Sequence, residues 1–195
     1  MAQMYAIVSS LDKARFFLEQ QVPWLQLRLK ETPLQPHLAE ISRWAAKYPR
    51  TRLVINDDPD FARQAGAWGV HLGQEDLTRL GWTPGRAEGL GLGISTHTPQ
   101  EIARALALSP DYIGFGPIFP TSSKQVAHPP QGVGRLAQVV QQAGAMGVPV
   151  AAIGGIHWGN LPQVTATKVG MVALLSACDN ITKAEDIRNW MDMMA

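Results

Sequence analysis

Two short apolar runs in this chain end in carboxylate side chains. Leu53-Val-Ile-Asn-Asp57 ends in one aspartate, and Gly69-Val-His-Leu-Gly-Gln-Glu-Asp76 ends in another. A strand that is apolar along its length and polar only at its last residues is typical of a buried sheet whose strand ends line a site. Carboxylates are hard oxygen ligands, which favour Mg²⁺ over zinc. We therefore expect Asp57 and Asp76 to hold one Mg²⁺ ion.

The neighbouring acid and histidine have structural interpretations. Either Asp57 or Asp58 could cap the helix that Pro59 opens, and we assign the cap to Asp58 and the metal to Asp57. We expect His71 to be a hydrogen-bonded core residue more than a catalyst. No second histidine follows it at the spacing of a zinc site.

Polar side chains alternate with leucines in Gln26-Leu-Arg-Leu-Lys30. In a strand, a period of two places Gln26, Arg28 and Lys30 on one face. Two cations facing a barrel interior are costly unless an anion or carboxylates compensate them. We expect a diphosphate site in which Arg28 offers a planar fork and Lys30 a point charge. An edge strand with one solvated face is the alternative.

Two hydroxyl residues, Ser95 and Thr98, lie at the end of a later apolar run. Ser95 stands near the end of a strand and could face the site, but no GxSxG motif marks it as an activated nucleophile. Thr98 is placed to cap the helix that begins near Pro99, which puts His97 on a loop at the rim.

A long connection after Gly114-Phe-Gly-Pro carries Thr121, Ser123 and Lys124. Hydroxyls and a lysine are suited to phosphate oxygens, and long loops in compact domains are often binding loops. A plain solvated loop has a similar composition and is the alternative.

Glycines and a serine mark a second anion site. Gln131-Gly132 precedes a helix, Ile153-Gly-Gly-Ile156 ends the seventh strand, and Leu175-Ser176 ends the eighth. Barrel enzymes frequently bind phosphate on the loops after strands seven and eight, and backbone N–H groups at a helix start can receive an anion. Each signal is weak alone, because a glycine pair can simply form a turn. Together they predict a phosphate pocket distinct from the metal site.

The segments that must position these groups alternate between β-rich runs and helical patterns. Such alternation implies parallel strands joined by right-handed crossovers, in a closed barrel or an open doubly wound sheet. Polar residues at the ends of nearly every strand favour the barrel. We expect residues 1–195 to form one α/β domain, a (β/α)8 TIM barrel. Its predicted strands are Met4–Val8, Leu25–Leu29, Leu53–Ile55, Gly69–His71, Leu90–Ile94, Tyr112–Phe115, Val148–Ile153 and Val169–Leu175.

Composition narrows the class of partner. The formal net charge of +1 and the lack of a basic stripe give no indication of nucleic acid binding. No apolar run is long enough to span a bilayer, the first residues do not form a signal peptide, and Cys178 is the only cysteine. We expect a cytoplasmic protein that acts on small molecules, with a homodimer as one possible assembly.

These blocks resemble thiamine phosphate synthase, in order and spacing, over nearly the whole chain. The resemblance implies a (β/α)8 barrel transferase. It would join hydroxymethylpyrimidine diphosphate to a thiazole phosphate, or to its carboxylated form, and give thiamine phosphate and diphosphate. Mg²⁺ would neutralise the leaving diphosphate, and the thiazole would capture a carbocation-like pyrimidine. The matching blocks are those quoted above, together with Gly93-Ile-Ser-Thr-His97.

The resemblance also implies a role for each matching residue. Catalysis would involve Arg28, Lys30, Ser95 and Lys124, and Asp57 and Asp76 would hold Mg²⁺. The pyrimidine diphosphate would contact Gln26, Arg28, Lys30 and Asn56, its diphosphate would also meet Lys124, and Ser95 would contact substrate. The thiazole would contact Thr121 and Ser123, and its phosphate would contact Gly132, Leu175 and Ser176.

Two other functions compete with the synthase. A thiazole tautomerase of related fold needs a general base, often histidine, after the sixth strand, where this chain has Gly116-Pro117. A non-catalytic barrel that binds a phosphate ligand would be expected to lack Lys124 or one aspartate. Both aspartates and the cations are present, which favours the synthase.

Overall fold

In a computed structural model, which describes residues 1–84, 89–121 and 128–194, eight parallel strands form a closed barrel. Each strand pairs with its neighbours in sequence, and β1 also pairs with β8, which excludes the open doubly wound sheet. The predicted barrel is confirmed. The strands are β1 Gln3–Val8, β2 Trp24–Leu27, β3 Arg52–Asn56, β4 Gly69–Leu72, β5 Gly91–Thr96, β6 Tyr112–Phe115, β7 Val150–Ile153 and β8 Met171–Leu174.

Helices connect the strands on the outside of the barrel. A short 3-10 turn, Gln35–His37, leads directly into the second helix. The described helices are α1 Leu11–Glu19, α2 Leu38–Lys47, α3 Pro59–Gln64, α4 Gln74–Arg79, α5 Pro99–Leu106, α6 Gly132–Gly144, α7 Leu161–Thr165, α8 Ser176–Asn180 and α9 Ala184–Met194. Among the described residues, none of these helices has the length and apolar character needed to cross a membrane.

Alternation along the strands separates two apolar cores. In β2, Leu25 and Leu27 belong to the large core between barrel and helices, whereas Trp24 belongs to a smaller cluster inside the barrel. Gln26 points to the same side as Trp24 and is 2% exposed. The predicted separation of leucines from polar side chains is therefore confirmed for the residues within this strand.

The helix caps fix where the polar loops enter the barrel mouth. The Phe61 N–H donates to Asp58 Oδ1 over 2.8 Å, so Asp58 caps α3 and leaves Asp57 for the mouth, as predicted. The Glu101 N–H donates to the Thr98 hydroxyl over 3.2 Å, which confirms Thr98 as the cap of α5.

Several boundaries differ from the prediction. β2 ends at Leu27, so Arg28 and Lys30 lie in the loop that follows it. α6 begins at Gly132, a residue that we expected to precede the helix. α8 has only five residues, too few to show a helical period in the sequence.

Candidate active site

A cavity of about 590 Å³ opens at the C-terminal ends of the strands. It lies where barrel enzymes hold their active sites, because the strand-to-helix loops converge there. Most of the predicted site residues meet in this cavity: Gln26, Arg28, Lys30, Asn56, Asp57, Asp76, Ser95, Thr121, Leu175 and Ser176 line its wall. Ser123 and Lys124 lie outside the described residues.

Asp57 and Asp76 come together although they follow different strands. Asp57 has a φ of 65°, and the Asp58 N–H donates to the Asn56 carbonyl across it, closing a tight turn. Asp76 lies in the first turn of α4, where its Oδ2 accepts from the Gly73 N–H over 3.0 Å. The two carboxyl groups are close enough for each to shift the pKa of the other.

The closeness of the two acids changes how they ionise. Burial, together with the neighbouring Asp76, raises the pKa of Asp57 to about 6. Burial also acts to raise the pKa of Asp76, but hydrogen bonds from Arg79 and Gly73 outweigh it and the net shift is downward. The Arg79 Nη2 donates to Asp76 Oδ1 over 2.8 Å. Two facing carboxylates at a cavity wall form an all-oxygen donor set that suits Mg²⁺.

Cationic side chains line the same cavity. Arg28 is half-buried, and burial lowers its pKa, an effect that the negative charge of Asp57 partly offsets. Lys30 follows two residues later and also lines the cavity. A desolvated guanidinium near a carboxylate pair is placed to bind an anion. The same anion can contact a metal ion held by the carboxylates.

A buried chain of hydrogen bonds crosses the barrel beneath the cavity. Gln26 Nε2 donates to the Tyr5 hydroxyl over 2.7 Å, and that hydroxyl lies 2.6 Å from the Tyr112 hydroxyl. The Tyr112 oxygen lies 2.9 Å from His71 Nδ1, and His71 Nε2 lies 2.8 Å from Ser95 Oγ. His71 is thus hydrogen-bonded, as expected.

The donors in this chain have one consistent direction. Burial raises the pKa of both tyrosines, so each is neutral and carries one proton. Gln26 Nε2 can only donate, so the Tyr5 hydroxyl accepts from it and donates to the Tyr112 hydroxyl. The Tyr112 hydroxyl then donates to His71 Nδ1. His71 Nε2–H then donates to Ser95 Oγ, which leaves the Ser95 proton for the cavity.

Sequence reasoning missed Tyr5 and Tyr112, because aromatic residues within apolar strands are typical of packing. The signal that could have found them is strand parity. Tyr5 and Tyr112 both face the barrel interior, where a phenolic hydroxyl needs a partner.

The opposite wall carries the predicted phosphate residues. Gly154, Gly155, Leu175 and Ser176 line it, and both glycines have positive φ, 97° and 66°. Gly132 differs: its N–H donates to the Ile118 carbonyl over 3.0 Å, so this group is already engaged and its contact with a phosphate stays a prediction.

Comparison with known proteins identifies the family of this chain. The family model described as thiamine monophosphate synthase matches residues 4–178. The thiamine-phosphate synthase of Neisseria meningitidis serogroup B is 41% identical over 187 residues, which cover 95% of this chain and 90% of the relative. That of Photorhabdus laumondii is 43% identical over 95% of this chain and 84% of its own length. This chain belongs to the thiamine monophosphate synthase family. It is therefore a transferase, and the resemblance seen in its motifs is confirmed.

Two solved structures superpose on the barrel of this chain. A thiamine phosphate pyrophosphorylase from Pyrococcus furiosus superposes with a TM-score of 0.78 at 24% identity, covering 98% of this chain and 96% of that one. A 3-hexulose-6-phosphate synthase superposes with a TM-score of 0.71 at 16% identity, covering 99% and 100%. At these identities the likeness concerns the barrel alone.

Proposed function

We propose that this member of the thiamine monophosphate synthase family joins hydroxymethylpyrimidine diphosphate to a thiazole phosphate and releases diphosphate. The observation that carries the proposal is that one cavity holds the Asp57–Asp76 pair with Arg28 and Lys30 on one side and the Gly154–Gly155 turn with Ser176 on the other. The reaction requires two anion sites facing one space, and these two groups of residues are the proposed sites.

In the proposed reaction, the bond between the pyrimidine methylene carbon and the diphosphate oxygen breaks, and that carbon bonds to the thiazole nitrogen. Negative charge grows on the diphosphate as it leaves, so fixed cations lower the barrier. Arg28 and Lys30 bind this group, and we assign the same task to Lys124. The proposed thiazole contacts are Thr121 and Ser123.

The Asp57–Asp76 pair is the proposed holder of Mg²⁺. Its fit rests on this structure: two carboxyl groups in contact, one with its pKa raised to about 6, are an unfavourable pair that a divalent cation would relieve. When bound, Mg²⁺ would supply charge neutralisation for the departing diphosphate. Asn56 precedes Asp57 and is the proposed polar contact beside it.

Gln26 and Ser95 lie at the two ends of the buried hydrogen-bond chain, and both line the cavity. We assign them to the pyrimidine ring. The Ser95 hydroxyl donates to a ring nitrogen of the pyrimidine, while His71 holds the Ser95 oxygen in place. Tyr5, Tyr112 and His71 are positioning residues in this scheme, since they act through Gln26 and Ser95.

A direct assay tests the proposal. The protein is incubated with both precursors and Mg²⁺, and the products are separated by chromatography, with each precursor omitted in turn as the control. Thiamine phosphate is expected only when both precursors are present. If folded protein gives none while it interconverts thiazole isomers, the tautomerase is favoured; if it binds the thiazole phosphate and converts nothing, the chain is a binding barrel.

A further inference from the structure

Three side chains at the rim of the cavity form a cluster that the proposed reaction does not use. His97 follows β5, Glu101 lies in the first turn of α5, and His128 precedes α6. One ligand atom from each residue, a ring nitrogen or a carboxylate oxygen, lies within 4.8 Å of the other two. All three residues line the cavity and are partly buried.

Glu101 is both anchored and charged. Its Oε2 accepts from the His97 N–H over 2.6 Å, from the Thr98 N–H over 3.3 Å, and contacts His97 Nδ1 at 3.0 Å. Oε1 takes no part in these bonds. Burial acts to raise the pKa of Glu101, but the hydrogen bonds from His97 outweigh it and the net pKa is lowered, so the carboxylate is ionised at neutral pH.

The two imidazoles lie face to face. Their ring centroids are 4.6 Å apart and their planes are inclined by 16°. Nδ1 of His97 lies 3.0 Å from the Glu101 carboxylate, so these two groups already face each other within the cluster.

We propose that His97, Glu101 and His128 bind one divalent transition-metal ion, with Zn²⁺ as the ion whose preferences fit them. Two imidazole nitrogens and one carboxylate oxygen are a ligand set that zinc accepts while keeping a fourth position for water. Mg²⁺ prefers oxygen ligands, so this site differs in chemistry from the Asp57–Asp76 pair. Ligand atoms of a tetrahedral zinc ion lie about 3.3 to 3.5 Å apart, so binding would draw the three ligand atoms together and tilt the two stacked rings toward one ion.

The position of the site gives the ion a structural effect. The ion would link the start of α5 to the segment before α6, two neighbouring parts of the barrel mouth. In the described structure these parts meet through the stacked rings of His97 and His128, and coordinate bonds would replace that contact. The proposal does not depend on the proposed reaction, because ion binding can be measured without substrate.

The test measures Zn²⁺ binding by calorimetry at near-neutral pH. The Asp57→Asn variant serves as the background, since it weakens the carboxylate pair as a competing site. In this background we expect one Zn²⁺ per chain, and His128→Ala should weaken that binding by more than about tenfold. His37→Ala, which removes a partly buried histidine from the 3-10 turn, is the matched control and should leave the affinity unchanged.

A second variant keeps the helix cap while changing the ligand. Glu101→Gln retains a side-chain oxygen for the cap but removes the charge, so Zn²⁺ should bind more weakly while the melting temperature changes little. Co²⁺ as a probe should give visible absorption bands that disappear in His128→Ala. Absence of a stoichiometric site in the background protein, or equal affinity in His128→Ala and His37→Ala, would overturn the proposal.

Discussion

Asp57 occupies a backbone region that few residues other than glycine adopt, with a φ of 65°. Aspartate tolerates this region better than most residues, and the tight turn closed by the Asp58 N–H holds it there. The turn directs Asp57 to the cavity while Asp58 caps α3. Two adjacent acids therefore have different tasks, and backbone geometry separates them.

Removing the second carboxylate tests the metal pair. Asp76→Asn should lower Mg²⁺-dependent turnover by about a hundredfold or more, because the departing charge loses its main stabilisation. Asp60→Asn is the matched control, since Asp60 is 87% exposed on α3 with only a long contact to Arg63. Steady-state kinetics across Mg²⁺ concentrations would measure both. Full activity in Asp76→Asn would refute the metal role.

The pKa of Asp57 gives a pH dependence for metal binding. Below about pH 6 the carboxyl pair holds a proton, which a cation must displace; above it, Asp57 is ionised and binding is easier. Mg²⁺ affinity should therefore rise between about pH 5 and about pH 7, with proton release at the lower end. Calorimetry in two buffers of different ionisation enthalpy would detect these protons. An affinity that stays constant over this interval would contradict the assignment.

The buried chain predicts a kinetic effect from a residue that does not line the cavity wall. Tyr112→Phe removes the hydroxyl between Tyr5 and His71, so Ser95 should lose its fixed orientation. We expect kcat/KM to fall about three- to tenfold, the value of one hydrogen bond. Tyr48→Phe, on a partly exposed tyrosine after α2, is the control. A lower melting temperature with unchanged kinetics would show that the chain serves stability alone.

At the scale of elements, β5 and β6 pack closely because Gly93 in β5 has no side chain. A Cβ added at Gly93 would collide with the Tyr112 ring, so only glycine allows this tyrosine to enter the barrel. Gly93 and Ser95 share the inward face of β5. The same strand therefore leaves room for the Tyr112 ring and, near its end, carries the Ser95 hydroxyl that the buried hydrogen-bond chain orients.

Gly93→Ala tests this fit. The clash should destabilise the fold by about 1 to 3 kcal/mol and displace Tyr112 from its partners. Gly134→Ala in α6 is the control, because a Cβ there meets nothing within 4 Å and alanine favours a helix. Denaturant unfolding would compare the two variants. Equal stability of Gly93→Ala and the parent protein would show that the barrel interior adapts more easily than its packing indicates.

For the whole molecule, apolar strand runs with polar ends were enough to predict the barrel and its mouth. Asp57, Asp76 and Arg28 carried visible chemical signals, and they line one cavity. Tyr5 and Tyr112 were missed, because strand parity indicates only that they face inward, and the contact between them joins strands far apart in sequence. The sequence also could not show that the Gly132 N–H donates to the Ile118 carbonyl, since that partner is set by tertiary folding; a phosphate contact of Gly132 stays a prediction.

The proposed reaction is tested most directly by its stoichiometry. Enzyme in excess is mixed with a limiting amount of the pyrimidine diphosphate, Mg²⁺ and saturating thiazole phosphate, and both products are quantified through a single turnover. Diphosphate and thiamine phosphate should appear together in equal amounts and at the same rate. Diphosphate released without thiamine phosphate, or no release from folded protein, would contradict a cavity that joins the two precursors.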